Sequence, residues 1–158
     1  SANKEWLFFD KEIVCLGNSI KSASEFQVNT TVNQCLLDGD VVVSSNGSES
    51  TLQAGDYNYE DNLDWAFHGN VGYYFPQKGK LQLNAGERTG NWYDINTNYA
   101  DETVKNNVFT TTAHNQLTDH TLISSFRASA RMMQRLIRAI TSRSSSTLTL
   151  YRLFITRN

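Results

Sequence analysis

The sequence predicts an all-β chain, an antiparallel sandwich followed by a C-terminal tail of different character, and three observations carry that prediction. Short runs of β-branched and aromatic residues recur along the chain, Gly, Asn and Asp turn signals separate them, and no helical periodicity occurs before residue 120. At 158 residues the chain has room for one domain of ordinary size. Apolar residues at 39% and aromatics at 11% are enough to build a core. No window approaches the roughly 18 uninterrupted apolar residues that a spanning helix needs, so no membrane partner is expected.

Trp6-Leu7-Phe8-Phe9 and Ile13-Val14-Cys15-Leu16 are apolar on both faces and flank Asp10-Lys11-Glu12, which reads as two buried strands joined by a tight turn. Phe26 to Asn33 alternates, with β-branched residues where a pleated surface favours them. Asp38-Gly39 is a hairpin signal before Val41-Val42-Val43. Residues 44–64 are polar and hold five acids, and they read as a long surface loop. Trp65-Ala66-Phe67-His68 turns at Gly69-Asn70 into Val71 to Phe75, a second hairpin, which Pro76 stops. Leu81-Gln82-Leu83 alternates, Gly86 and Gly90 bracket a turn, Asn91 to Asn96 follows as a strand, and Val104 to Thr112 is a further Thr-rich one. Eight or so strands result. Trp6, Phe8, Ile13, Cys15, Val28, Tyr73, Phe75 and Trp92 are the expected core.

Motifs for chemistry are sparse. His68, His114 and His120 form no His-x-x-x-His spacing, and Cys15 and Cys35 form no metal-binding pair, so no cofactor and no metal are expected. The cysteines read as free thiols, with a single bridge as the alternative. Asp38-Gly39-Asp40 opens like a calcium loop, yet Val42 stands where the next oxygen ligand belongs. His68 and His114 read as strand-end histidines bonded to backbone. Trp65, Trp92 and Tyr93 are the candidate carbohydrate-binding residues, because flat aromatic faces stack on sugar rings, although strand aromatics more often belong to a core.

The ordered series Lys4 to Ile20 (KEWLFFDKEIVCLGNSI), Val28 to Gln34 (VNTTVNQ), His68 to Pro76 (HGNVGYYFP), Gly90 to Asn96 (GNWYDIN) and Val108-Phe109-Thr110 resembles the central β-sandwich of polysaccharide lyase family 8 over about residues 4–115. That family contains the chondroitin AC, hyaluronate and xanthan lyases. The resemblance implies part of a large multi-stranded sandwich, a secreted or periplasmic parent enzyme, and an acidic polysaccharide as its partner. It also implies β-elimination: the uronate carboxylate is neutralised, the C5 proton is abstracted and the glycosidic oxygen leaves with a proton. The groups for those steps belong chiefly to a helical N-terminal domain whose motifs this sequence lacks, so no catalytic residue carries over. A stand-alone carbohydrate-binding or interaction sandwich is the alternative function.

Charge divides the chain. Residues 1–119 hold 7 basic and 16 acidic side chains, whereas residues 120–158 hold seven Arg and no acid. The expected division is a sandwich over 1–120 and a basic Arg/Ser/Thr-rich tail over 121–158. A displaced reading frame beginning in His120 explains the tail, because back-translation in another frame restores a Pro-Gly turn, a Val-rich strand and acidic residues. On that reading the tail is a poorly packed helix or coil, the sheet edge beside it is left bare, and self-association follows. A basic amphipathic helix over Phe126 to Ile140, for a partner, a lipid surface or nucleic acid, is the alternative. The acidic sandwich itself predicts no nucleic-acid partner.

Overall fold

The computed structural model describes residues 3–8, 12–18, 20, 22–23, 26, 28–76, 78–115 and 121–127. Eleven strands occur among them: β1 (Asn3–Phe8), β2 (Glu12–Asn18), β3 (Val28–Leu36), β4 (Val42–Ser45), β5 (Ser48–Thr51), β6 (Gly55–Tyr59), β7 (Leu63–His68), β8 (Val71–Tyr74), β9 (Lys80–Asn91), β10 (Thr103–Asn115) and β11 (Thr121–Arg127). They form a seven-stranded sheet in the order β1-β2-β11-β8-β7-β4-β5 and a four-stranded sheet in the order β3-β10-β9-β6. Every ladder is antiparallel. The sandwich expected from the sequence is the observed architecture.

Local turn chemistry accounts for the hairpins. Asn46 and Gly47 both hold positive φ (49° and 77°) between β4 and β5, as Gly69 and Asn70 do (56° and 64°) between β7 and β8. Two consecutive left-handed residues match the twist of paired strands, and Asn and Gly reach that region at least cost. The core lies where the sheets face each other. Val43, Leu63, Ala66, Tyr73 and Phe75 come from the larger sheet or its flanks, and Leu81, Leu83, Ala85, Phe109 and Ala113 from the smaller. On β9 these recur at every second position, and on β10 the buried Thr111 stands between Phe109 and Ala113, as the pleat requires.

Several expectations fail for identifiable reasons. Residues 44–64 are not a loop: Asn46-Gly47 closes a hairpin, and β5 and β6 lie within the stretch. Their residues are exposed or half-buried, so main-chain pairing shapes them without an apolar signature. Asp38-Gly39 is not a hairpin, because β3 and β4 belong to different sheets and the turn carries the chain between layers. Gly86 and Gly90 lie inside the twelve-residue β9, and Trp92–Asp94 is a 3-10 turn rather than a strand. A Cβ on Gly86 would stand 3.6 Å from the Gly55 amide nitrogen on the neighbouring strand, an ordinary van der Waals distance, so the position does not require glycine.

The expected core is partly wrong. Tyr73 and Phe75 are buried, Ile13, Cys15 and Val28 half-buried, but Trp6, Phe8 and Trp92 are 56%, 73% and 57% exposed. β1 is an edge strand paired with β2 alone, and its whole length is exposed. Thr121–Arg127 is a strand inserted between β2 and β8 in mid-sheet, and the compact unit extends to Arg127. The expected coil beside a bare edge is therefore absent at 121–127, and Phe126 and Arg127 belong to a strand rather than to an amphipathic helix. Residues 128–158, with most of the expected tail, lie outside the described residues, as does His120.

Candidate carbohydrate-binding surface

The three aromatic candidates part company in the structure. Trp65 is 3% exposed. It sits in β7, which has a strand on either side and is buried or half-buried at every position, so neither face is open, with Tyr74 and Ser44 opposite it in register. It cannot stack on a sugar. Its strand, Leu63-Asp64-Trp65-Ala66-Phe67-His68, has apolar residues at both parities, and that pattern signals cover on both faces.

Trp92 and Tyr93 stand instead at the end of the long β9–β10 hairpin. The hairpin projects them because its ladder runs unbroken from Lys80 opposite His114 to Asn91 opposite Thr103. At its end Asn91 caps the 3-10 turn, its Oδ1 accepting a hydrogen bond of 3.0 Å from the Tyr93 amide, while its amide nitrogen donates to Asp101 across the loop. The amides of Ile95 and Asn96 both donate to the Trp92 carbonyl. Trp92 then lies 6.2 Å from Tyr99, ring centre to ring centre. Trp92, Tyr93, Ile95 and Tyr99 are all large and exposed. Tyr99 and Ile95 were not among the sequence candidates; the available signal was an aromatic in a polar loop with no strand alternation around it. Asp94, Asp101 and Glu102 share this loop, and the nearest cations on the hairpin, Arg88 and Lys105, are engaged by Asp56 and Glu87 at 2.6 and 3.2 Å. The surface has ring faces and a negative field.

The groups that could carry acid–base chemistry lie elsewhere and are committed to structure. His68 is 3% exposed. Its Nε2 accepts a 3.0 Å bond from the Asp38 amide, which requires that nitrogen to be unprotonated, so the neutral ring carries its proton on Nδ1, 3.6 Å from Cys35 Sγ. Burial holds the imidazole below its ordinary pKa against the opposing pull of the Asp38 carboxylate. His68 therefore donates toward the sulfur and cannot serve as a base for it. Asn33 completes the cluster, donating to Cys35 Sγ at 3.4 Å and to the Tyr73 hydroxyl at 2.6 Å. Burial, with Cys35 close by and the Asn33 bond opposing, pushes Tyr73 up to about 12. His114 Nδ1 lies 2.7 Å from Asn29 Oδ1, a side-chain partner rather than the expected backbone one. Cys15 and Cys35 are both free thiols. No group of three or more metal-ligating side chains occurs among the described residues, and no described helix is long and apolar enough to cross a membrane.

Comparison with known proteins fits this sandwich. The family model for polysaccharide lyase family 8, super-sandwich domain, matches residues 1–123. The chain belongs to polysaccharide lyase family 8. Over 113 residues it is 38% identical to the chondroitinase-AC of Pedobacter heparinus, a match covering 68% of this chain and 15% of that protein. It is 34% identical over 105 residues to the xanthan lyase of Bacillus sp. strain GL1, covering 61% and 11% respectively. Among solved structures, a chondroitinase AC lyase studied as oligosaccharide complexes superimposes with a TM-score of 0.73 at 28% identity, over 84% of this chain and 20% of that one. A Paenibacillus xanthan lyase gives 0.70 at 20% identity, over 92% and 15%, and supports the fold. The chain thus spans a small fraction of the family 8 lyases it matches.

Proposed function

We propose that this chain is the sandwich module of a family 8 lyase that cleaves an acidic polysaccharide by β-elimination, that it scaffolds the substrate cleft and holds glycan through Trp92 and Tyr93, and that by itself it does not cleave. The observation that supports this most strongly is the super-sandwich match across residues 1–123, joined to the state of the candidate acid–base groups. Abstracting a C5 proton needs a base reachable by the sugar. Among the described residues, His68 is buried with both ring nitrogens engaged, and Tyr73 is buried and strongly disposed to keep its proton. The groups for elimination then belong to a helical domain of the parent enzyme, which would be secreted or periplasmic. For residues 121–158, a displaced reading frame beginning in His120 is our account of the arginine-rich composition, and sequencing the encoding DNA tests it.

The activity test is direct. Unsaturated uronate absorbs in the ultraviolet, so the purified chain mixed with chondroitin sulfate, hyaluronan or xanthan should give no rise in absorbance. A rise abolished by His68→Ala or Tyr73→Phe would overturn the scaffold reading.

A further inference from the structure

The molecule has a second exposed tryptophan, Trp6, and its surroundings are chemically opposite to those of Trp92. A cleft of about 180 Å³ opens where β1 and β2 of the larger sheet pass β3 of the smaller one. Trp6 and Lys4, two residues apart on β1, project into it together with Cys15 from β2 and Asn29, Thr30 and Val32 from β3. Lys4 reaches across the gap and its Nζ donates to Thr30 Oγ1 at 3.0 Å. Lys78, Lys80, Arg88 and Lys105 are each engaged by a carboxylate. Among the described residues Lys4 has no carboxylate partner, and no carboxylate lines the cleft. Asn29 is oriented by its bond to His114, with Oδ1 engaged and the amide nitrogen turned to donate.

We propose that this cleft binds one uronic acid ring of an acidic glycan, with Trp6 stacking on the sugar face, Lys4 pairing with the carboxylate, and Asn29 and Thr30 meeting the hydroxyls. The proposal rests on the reading of the chain as a glycan-holding module, and it adds a site of its own that the Trp92 surface does not contain. Each part has a physical reason. An aromatic face offers a sugar's C–H bonds an apolar platform. A lysine held by a neutral hydroxyl, with no carboxylate partner among the described residues, keeps its charge available to pair with an anion. The volume of about 180 Å³ is of the size of one sugar ring.

Isothermal titration of the full chain with an unsulfated, glucuronate-containing chondroitin disaccharide tests this, with N-acetyllactosamine as the neutral control. Saturable binding of the uronate disaccharide, weakened by added salt, is expected. Trp6→Ala should weaken it about three- to tenfold, and Lys4→Gln about two- to fivefold with the salt dependence lost, while Leu36→Ala, at an exposed residue of β3 outside the cleft, leaves it unchanged. Lys4→Gln alters one exposed side chain, and unchanged thermal melting would certify its fold. Unchanged affinity in both the Trp6 and Lys4 variants, with loss in Trp92→Ala, would overturn this site and leave the glycan-holding reading standing. No saturable binding by the unsubstituted chain would overturn the site as well, and activity of a complete parent enzyme would then judge the wider reading separately.

Discussion

Trp6 and Trp92 are exposed to nearly the same extent, 56% and 57%, yet they sit in different physical settings. Trp92 crowns a hairpin tip whose shape is set locally, by an Asn91 cap and bonds that return to the Trp92 carbonyl within four residues, and its neighbours are acidic. Trp6 lies on an edge strand, and its cleft exists only because β3, more than twenty residues later, passes beside it in the other sheet. Aromatic exposure alone thus says little about a ligand. The charge beside the ring differs: Asp94, Asp101 and Glu102 share the loop of Trp92, whereas Lys4, held by the Thr30 hydroxyl, stands beside Trp6.

The largest expected effect tests whether both tryptophans are mounted on a common core rather than belonging to it. Phe109 is fully buried, packed against His68 and Tyr73 with ring centres 4.8 and 6.0 Å away. Phe109→Ala should cost about 3–5 kcal/mol in chemical denaturation, whereas Trp6→Ala and Trp92→Ala should each cost about 1 kcal/mol or less. If Trp6→Ala cost as much as Phe109→Ala, the edge strand would be core after all, and the contrast between the regions would fail.

Acid should act through the core and report equally at both surfaces. His68 has a folded pKa below its ordinary value of 6.5, because burial disfavours the imidazolium. The unfolded chain therefore takes up the proton more readily. Stability is complete above pH 6.5 and declines as pH falls below it toward the folded value. Denaturation midpoints measured across this window should show the decline, and His68→Gln should flatten it. A decline unaffected by that substitution would place the titrating group elsewhere.

A smaller effect sharpens the local character of the hairpin tip. Asn91→Ala removes the cap on the Tyr93 amide and the link to Asp101. It should cost about 0.5–2 kcal/mol and shift the fluorescence of a chain in which Trp92 is the sole tryptophan, while one keeping only Trp6 stays unchanged. The least effect concerns association. Among the edge strands, β1 carries the exposed apolar side chains of Phe8 and Leu7. Placing a lysine at Phe8 should lower self-association in sedimentation without lowering the melting temperature appreciably.

Much of this fold was legible in the chain, and the failures have one cause. Alternation along Leu81-Gln82-Leu83 and Val104 to Thr112 marks strands because the pleat sends successive side chains to opposite faces, and Gly69-Asn70 marks a hairpin because few residue pairs accept positive φ in sequence. These are properties of neighbours in the chain. Of the candidate site, Trp92 and Tyr93 emerged from the sequence, but so did Trp65, which the same reading could not separate from them. Whether a strand face is covered depends on the strand's place in the sheet, and that is set by pairings across long stretches of chain: Trp65 falls mid-sheet, Trp6 at an edge, and Thr121–Arg127 between β2 and β8. The sequence by itself determined an antiparallel all-β chain of one family. Only the tertiary structure decided which aromatics meet water and which charge lies beside them, because burial and field depend on residues brought together from distant strands.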